Sequence, residues 1–173
     1  MTITSDDLLA ELSRLGIPTT TVSHPPLRTV EDSKRLRGDL AGGHIKNLFL
    51  RDKRQRFWLV VALEDTLVDL KALARALGVG RFSFANEQQL DDLLGIAPGA
   101  VSPLAVINDR GGVVTVVIDD TVMDKSPLNL HPLRNDRTTV IAPRDLLRFL
   151  EHCGHAPRIM ALARAQHGTD APP

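Results

Sequence analysis

Leu8, Leu9, Leu12 and Leu15 recur at helical spacing behind Ser5, Asp6 and Asp7, and Gly16 follows them. A hydroxyl and two acids ahead of such a stripe satisfy free N–H groups and suit the positive end of the helix dipole. The pattern therefore predicts a first helix that starts at Ser5. Residues 17–23 (IPTTTVS) are rich in β-branched side chains and read as extended until His24-Pro25-Pro26 interrupts them. Thr29 and Asp32 have the spacing of a capping box and predict a more polar second helix to about Arg37.

The centre of the chain is rich in strand signals. Residues 45–50 (IKNLFL) and 57–63 (FWLVVAL) flank a polar turn at 52–56 and predict a hairpin. A helix over 69–77 closes at Gly78, a short strand covers 81–84, and Asn86 caps a helix through Leu94. A Gly/Pro loop runs from Gly95 to Pro103. Strands at 104–107 and 113–118 are expected to pair around Asp109-Arg110-Gly111-Gly112, and residues 138–142 form a last strong strand. Pro143 opens a final helix to Cys153, with Gly154 as its stop. Neighbouring strands broken by helices at irregular intervals indicate a mixed or antiparallel sheet rather than a doubly wound one.

Composition narrows the function. The 173 residues fit one domain, read as residues 1–165, with a polar tail over 166–173 expected to be disordered. Lys+Arg and Asp+Glu both total 21, so no broad positive field coats long nucleic acid, although a local cluster still grips a short end. With no Tyr, five Phe and Trp58 alone, a stacking platform for single strands is not expected. The lone Cys153 excludes an internal disulfide. No apolar run reaches the roughly 18 residues of a membrane span and the acidic start is unlike a signal peptide, so a cytoplasmic protein without membrane association is expected.

Familiar catalytic signatures are missing: the sequence has no phosphate-binding G-x-x-x-x-G-K-[ST] or G-x-G-x-x-G and no G-x-S-x-G elbow. His152, Cys153 and His155 read better as a polar helix end than as a metal cluster, and neither metal nor cofactor is expected. Arg51, Lys53, Arg54 and Arg56 make a basic turn that is either a solvated tip or a phosphate contact. Lys71 and Arg75 share a helix face with Arg81 close behind, open to the same two readings. Two features resist the bland interpretation. Lys46 and Asn47 interrupt an apolar strand, and alternation turns one of them inward, which suits either a cleft or an ordinary strand edge. Residues 126–136 pack His131, two Asn and two Pro into an irregular segment before a strong strand.

Taken together, Lys46-Asn47-Leu48-Phe49-Leu50-Arg51-Asp52, Asp69-Leu70-Lys71, Pro98-Gly99-Ala100-Val101-Ser102-Pro103 with Ile107-Asn108-Asp109, and His131-Pro132-Leu133-Arg134-Asn135-Asp136 resemble the YbaK and prolyl-tRNA synthetase editing-domain superfamily. Within it the freestanding Ala-tRNA(Pro) deacylases are most similar, and the resemblance covers about residues 5–160. It implies an α+β domain with a mixed, mostly antiparallel, barrel-like sheet surrounded by helices. The implied activity is hydrolysis of an amino acid mischarged on the tRNA(Pro) acceptor end, with prolyl-tRNA synthetase as a possible partner. The strand lysine of the family maps to Lys46, its G-x-x-x-P loop to Gly99, Ala100, Val101, Ser102 and Pro103, and its late-loop histidine to His131.

An aminoacyl ester is already activated, so orientation and charge stabilisation matter more than a strong nucleophile. The loop Gly99–Ser102 would then hold the oxyanion, Lys46 would meet a phosphate or ribose oxygen, Asn47 and the catalytic candidate His131 would orient the ribose or shape the amino-acid pocket, and Pro103 and Asn129 would bind substrate. Lys53, Lys71 and Arg81 are the candidates for tRNA contacts. A pocket that admits alanine and excludes proline would supply the second sieve. Cys- or Ser-charged tRNA, a non-catalytic tRNA- or synthetase-binding module, and a small-molecule binder are the competing readings.

Overall fold

Thr4 rather than Ser5 caps the first helix. Its hydroxyl accepts from the Asp7 N–H at 3.2 Å while the Asp7 carboxylate accepts from the Thr4 N–H at 3.0 Å, and Ser5 lies buried as the first helical residue. The rest of the architecture follows from equally local rules. The computed structural model describes residues 1–27, 29–36 and 40–162. Along them run α1 (Ser5–Arg14), β1 (Thr20–Ser23), α2 (Val30–Leu36), β2 (Gly43–Asp52), β3 (Phe57–Leu63), α3 (Leu70–Ala76), β4 (Phe82–Phe84) and α4 (Glu87–Leu94). There follow a 3-10 helix (Pro103–Asn108), β5 (Val114–Asp119), a second 3-10 helix (Asp120–Asp124), β6 (Leu128–Leu130), β7 (Arg137–Ile141), α5 (Pro143–His152) and β8 (Arg158–Met160). Arg37, the expected end of the second helix, and the tail 166–173 lie outside the described residues.

The strands lie in the order β1-β7-β6-β2-β3-β5-β8, with β4 also on β2. Pairs β1–β7, β6–β7, β2–β3 and β2–β4 are antiparallel, whereas β2–β6, β3–β5 and β5–β8 are parallel, so the expected mixed α+β sheet is the one observed. Its larger core gathers Phe49, Leu59, Val61, Val116 and Ile118 against Leu8, Leu12, Leu94, Leu104, Phe149 and Leu150. On the opposite face Leu50, Trp58, Val60 and Ala62 pack beneath Leu73, Ala74 and Phe82.

Two expectations change. Residues 104–107 are not a strand: Pro103 fixes a first turn, and the Ser102 hydroxyl accepts from the Leu104 N–H at 3.2 Å. A four-residue apolar run reads alike in both states, and the Ser-Pro start decides it. β5 therefore pairs with β3 and β8 instead. The stretch 126–136 is also less irregular than expected, since Leu128–Leu130 forms β6.

β2 is held at both ends and open in the middle. Its start pairs with β6 through Gly43 and His44, and its end with β4 through Leu50–Asp52. β3 covers the other edge from Ile45 to Arg51. The Phe49 carbonyl accepts from the Ala85 N–H at 2.9 Å and the Gly43 N–H donates to the Pro127 carbonyl at 2.8 Å. By alternation, the N–H and C=O of Asn47 face the uncovered stretch between them. At the entry to β2, Gly42 has φ +104 and an added Cβ would stand 2.1 Å from the Pro127 carbonyl oxygen, so the chain lies flush against the 125–128 segment.

Candidate functional site

The opening along β2 coincides with two polar residues, Lys46 and Asn47, in the middle of the strand. The Lys46 side chain projects on the face of Leu48, Leu50 and Ala62, and its ammonium donates to the Thr66 carbonyl within the β3–α3 connection. Asn47 projects to the opposite face, where its amide donates to the Val101 carbonyl at 2.9 Å and its Oδ1 is buried without a partner. Thus alternation separates the two side chains, while Asn47 brings the strand to the glycine loop.

Across the sheet, the face of Lys46 continues as a polar row. Parallel pairing sets Asn129 beside His44, and antiparallel pairing sets Asn129 beside Val140, two residues from Thr138 on the same face. The Asn129 amide donates to the carbonyls of Ala41 (3.0 Å) and Gly43 (3.3 Å), and its Oδ1 is buried and unpartnered. His131, next after β6, is half-buried, with Nδ1 3.0 Å from the Arg137 carbonyl. A carbonyl only accepts, so Nδ1 carries the proton and Nε2 keeps its lone pair in the neutral ring. Burial pushes the His131 pKa down, the Arg137 carbonyl opposes this, and the nearby His24 adds to the lowering. The two rings lie 6.5 Å apart, and His24 is itself fixed by the Pro25 carbonyl (2.9 Å) and the Thr138 hydroxyl (2.8 Å).

The 95–102 loop is rigid where it passes β2. Gly95 ends α4 with φ +61, and an added Cβ there would meet Thr2 at 2.3 Å. Gly99 has φ +86 and lies against Asn135, whose amide donates to the Leu27 carbonyl at 3.1 Å. The Ala100 N–H donates to the Ala97 carbonyl at 3.1 Å, and the fully buried Ser102 spends its hydroxyl as the cap already described. Among the described residues nothing pairs with the N–H groups of Gly99 and Val101. Pro103 is buried at the start of the 3-10 helix.

The basic candidates sit beyond the end of β2. Lys71 and Arg81 line a cavity of about 470 Å³ between α3 and β4, together with Arg75 and the apolar Leu70, Ala74 and Phe82. The Lys53 stem lies over Gly80 at its rim. In the β2–β3 turn, Arg56 is tied down by Asp52, a buried carboxylate that accepts from Arg54 N–H (2.8 Å), Arg56 N–H (3.1 Å), Arg56 Nε (2.8 Å) and Trp58 Nε1 (3.1 Å). Burial raises the Asp52 pKa, but these donors together hold it below the ordinary carboxylate value.

His152, His155 and the thiol have separate employments. His152 meets Glu11 at 3.1 Å, and His155 sits between the carbonyls of Val114 and Asp109. Burial pushes the Cys153 thiol up to about 11. Sequence reasoning passed over His24, Thr138 and Asn135. The Pro25-Pro26 pair after His24 was the available signal, because it halts β1 and leaves that ring beside β7. Asn135 stood only as one member of the His131–Asp136 block, and Thr138 carried no signal.

The chain matches the aminoacyl-tRNA editing domain family over residues 24–149. It is similar to the prolyl-tRNA synthetase associated domain-containing protein 1 of Danio rerio, with 39% identity over 87% of this chain and 83% of the relative. It is also similar to the prolyl-tRNA editing protein ProX of Acetoanaerobium sticklandii, with 35% identity over 90% of this chain and 95% of the relative. A solved structure described as a candidate trans-editing enzyme for prolyl tRNA synthetase superposes with a TM-score of 0.74 over 95% of this chain and 99% of its own, at 17% identity. Among the described residues no helix is long and apolar enough to cross a membrane.

Proposed function

Because this chain belongs to the aminoacyl-tRNA editing domain family, we propose that it hydrolyses Ala-tRNA(Pro), releasing alanine and free tRNA and sparing Pro-tRNA(Pro). The observation that carries this reading is the open stretch of β2, where Lys46 and Asn47 meet a gap in the sheet bordered by the glycine loop. A gap between strands offers an ester both a cation and fixed main-chain groups, which is what an already activated bond requires.

Water adds to the ester carbonyl carbon, the carbon–ribose oxygen bond breaks, and the proton from water ends on the departing ribose oxygen. The vicinal hydroxyl of the terminal ribose orients the water. Of the loop N–H groups that could face the oxyanion, Ala100's is spent in a turn, while those of Gly99, Val101 and Ser102 pair with nothing among the described residues. Ser102 and Pro103 hold the loop's shape through the 3-10 start. Lys46 exchanges the Thr66 carbonyl for a phosphate or ribose oxygen of the acceptor end. His131 accepts from a ribose hydroxyl through Nε2, and Asn129 shapes the same polar row. Lys53, Lys71 and Arg81 contact the RNA backbone. The substrate reaches the protein from a prolyl-tRNA synthetase, whose proline pocket discriminates poorly against a smaller side chain.

Deacylation of Ala-, Ser-, Cys- and Pro-tRNA(Pro) by the protein and by its Lys46→Ala variant tests this. Rapid loss of alanine only, abolished by the substitution, is the expected result. Hydrolysis centred on Ser- or Cys-tRNA would change the substrate, and none at all would leave a binding module.

A further inference from the structure

The cavity between α3 and β4 carries charge that the ester chemistry does not use. Lys71 and Arg75 stand one turn apart on the exposed side of α3, Arg81 leads into β4, and Lys53 reaches the rim from the β2–β3 turn. Among the described residues no ion pair ties up any of the four. Beneath the cations the wall is apolar: Leu70, Ala74 and Phe82. Such a lining fits a compact anion joined to a flat or apolar body, and about 470 Å³ lies in the range of small-ligand sites.

Two arguments select the anion. An internal phosphodiester has chain on both sides and needs an open groove, whereas a cavity that draws its cations from α3, β4 and the β2–β3 turn suits a chain end. A terminal phosphomonoester also carries close to two negative charges and three strong acceptor oxygens, which matches several converging cations better than one diester charge does. Distance fits as well. Phe82 pairs with Asp52, six residues along β2 from Lys46, or about 20 Å at ~3.3 Å per residue. A single-stranded tail of a few nucleotides, at ~3.4 Å each when stacked and more when extended, spans that interval.

We propose that this cavity seats the 5′-terminal phosphate of the RNA whose 3′ end lies at Lys46, so that the protein measures the acceptor end from both strands. The inference rests on the deacylase reading for the placement of the 3′ end.

The test uses acceptor-stem RNA hairpins ending in 3′ CCA, prepared with a 5′-phosphate or a 5′-hydroxyl, for binding, and their alanylated forms for turnover. The hydroxyl form should bind about tenfold more weakly and raise KM with kcat unchanged, in keeping with the loss of charge-assisted bonds. An Arg75→Ala variant should bring the phosphorylated form most of the way down to that level and leave the hydroxyl form where it was. Equal binding of the two forms overturns the inference, as does an Arg75→Ala variant that weakens both forms alike. AMP serves as the free-nucleotide probe: if it saturates the cavity while the two RNAs bind identically, the site belongs to mononucleotides and the inference fails. Absence of alanyl hydrolysis with a preserved phosphate effect on binding would instead count against the deacylase reading alone.

Discussion

The side-chain amide of Asn47 donates to the Val101 carbonyl at 2.9 Å, and this one bond ties the open strand to the glycine loop across 54 positions of sequence. Both partners are partly buried, so the bond is shielded from competing water. Its geometric value exceeds its energy, because the loop groups it positions are the ones expected to meet the oxyanion.

Replacing Asn47 by Ala removes that tether. A hydrogen bond of this kind contributes about 1 kcal/mol to stability, so the variant should stay folded. Its kcat should fall on the order of 10- to 100-fold, with RNA affinity changed far less. Single-turnover deacylation beside equilibrium RNA binding separates the two effects; equal losses in both would remove the positioning role.

His131 supplies a pH signature. Its pKa is held below the ordinary 6.5, first by burial and then by His24, with the Arg137 carbonyl opposing. Between the folded and unfolded values the unfolded chain binds more protons, so stability rises with pH there. The contribution is complete above about 6.5 and is lost as pH falls through the lower folded value. Melting temperatures of the protein and of His131→Gln should therefore differ by a constant amount from pH 7.5 to about 6.5, and the protein should lose stability relative to the variant as pH falls towards 5. The acid limb of kcat should lie below 6.5 in the unmodified protein.

Asp52 is the stability centre of the β2–β3 turn. Replacing it by Ala strands the Trp58 N–H and the Arg54 and Arg56 donors and should cost about 2–4 kcal/mol in urea denaturation. At temperatures where the variant is folded, deacylation should be close to normal. A loss under 1 kcal/mol would show that water replaces the carboxylate at no net cost.

Gly42 and Gly99 both have positive φ, yet their substitutions should differ. A Cβ at Gly42 would overlap the Pro127 carbonyl at 2.1 Å, whereas at Gly99 its nearest neighbour is 3.5 Å away. Gly99→Ala should cost only the left-handed strain of about 1–2 kcal/mol, while Gly42→Ala should displace the start of β2 and cost more than twice that. Denaturation midpoints compare them directly.

What the sequence made legible was local. Asn86 caps α4 by accepting from the Gln89 N–H at 2.9 Å, Pro143 opens α5, and the β2–β3 hairpin follows its alternation, because each depends on neighbours within a few residues. The 3-10 helix over Pro103–Asn108 was misread as a strand, since Leu104, Ala105, Val106 and Ile107 are apolar in either state. β8 was missed because Arg158, Ile159 and Met160 carry little strand signal and owe their state to β5. Lys46 and Asn47 stood out as polar breaks, but only pairing showed that the break in pattern is also a break in the sheet. The partners of Asn129, His24 and Asn135 are long-range and leave no trace in spacing.

The uncovered length of β2 has a consequence for how the molecule breathes. Amide protons in a central strand usually exchange with solvent only through global opening, so they share one slow rate. Here the Asn47 amide lies between two clamped ends, and its deuterium uptake should run ahead of Leu50 and Asp52 on the same strand. Bound RNA should close that difference, turning one backbone proton into a reporter of occupancy.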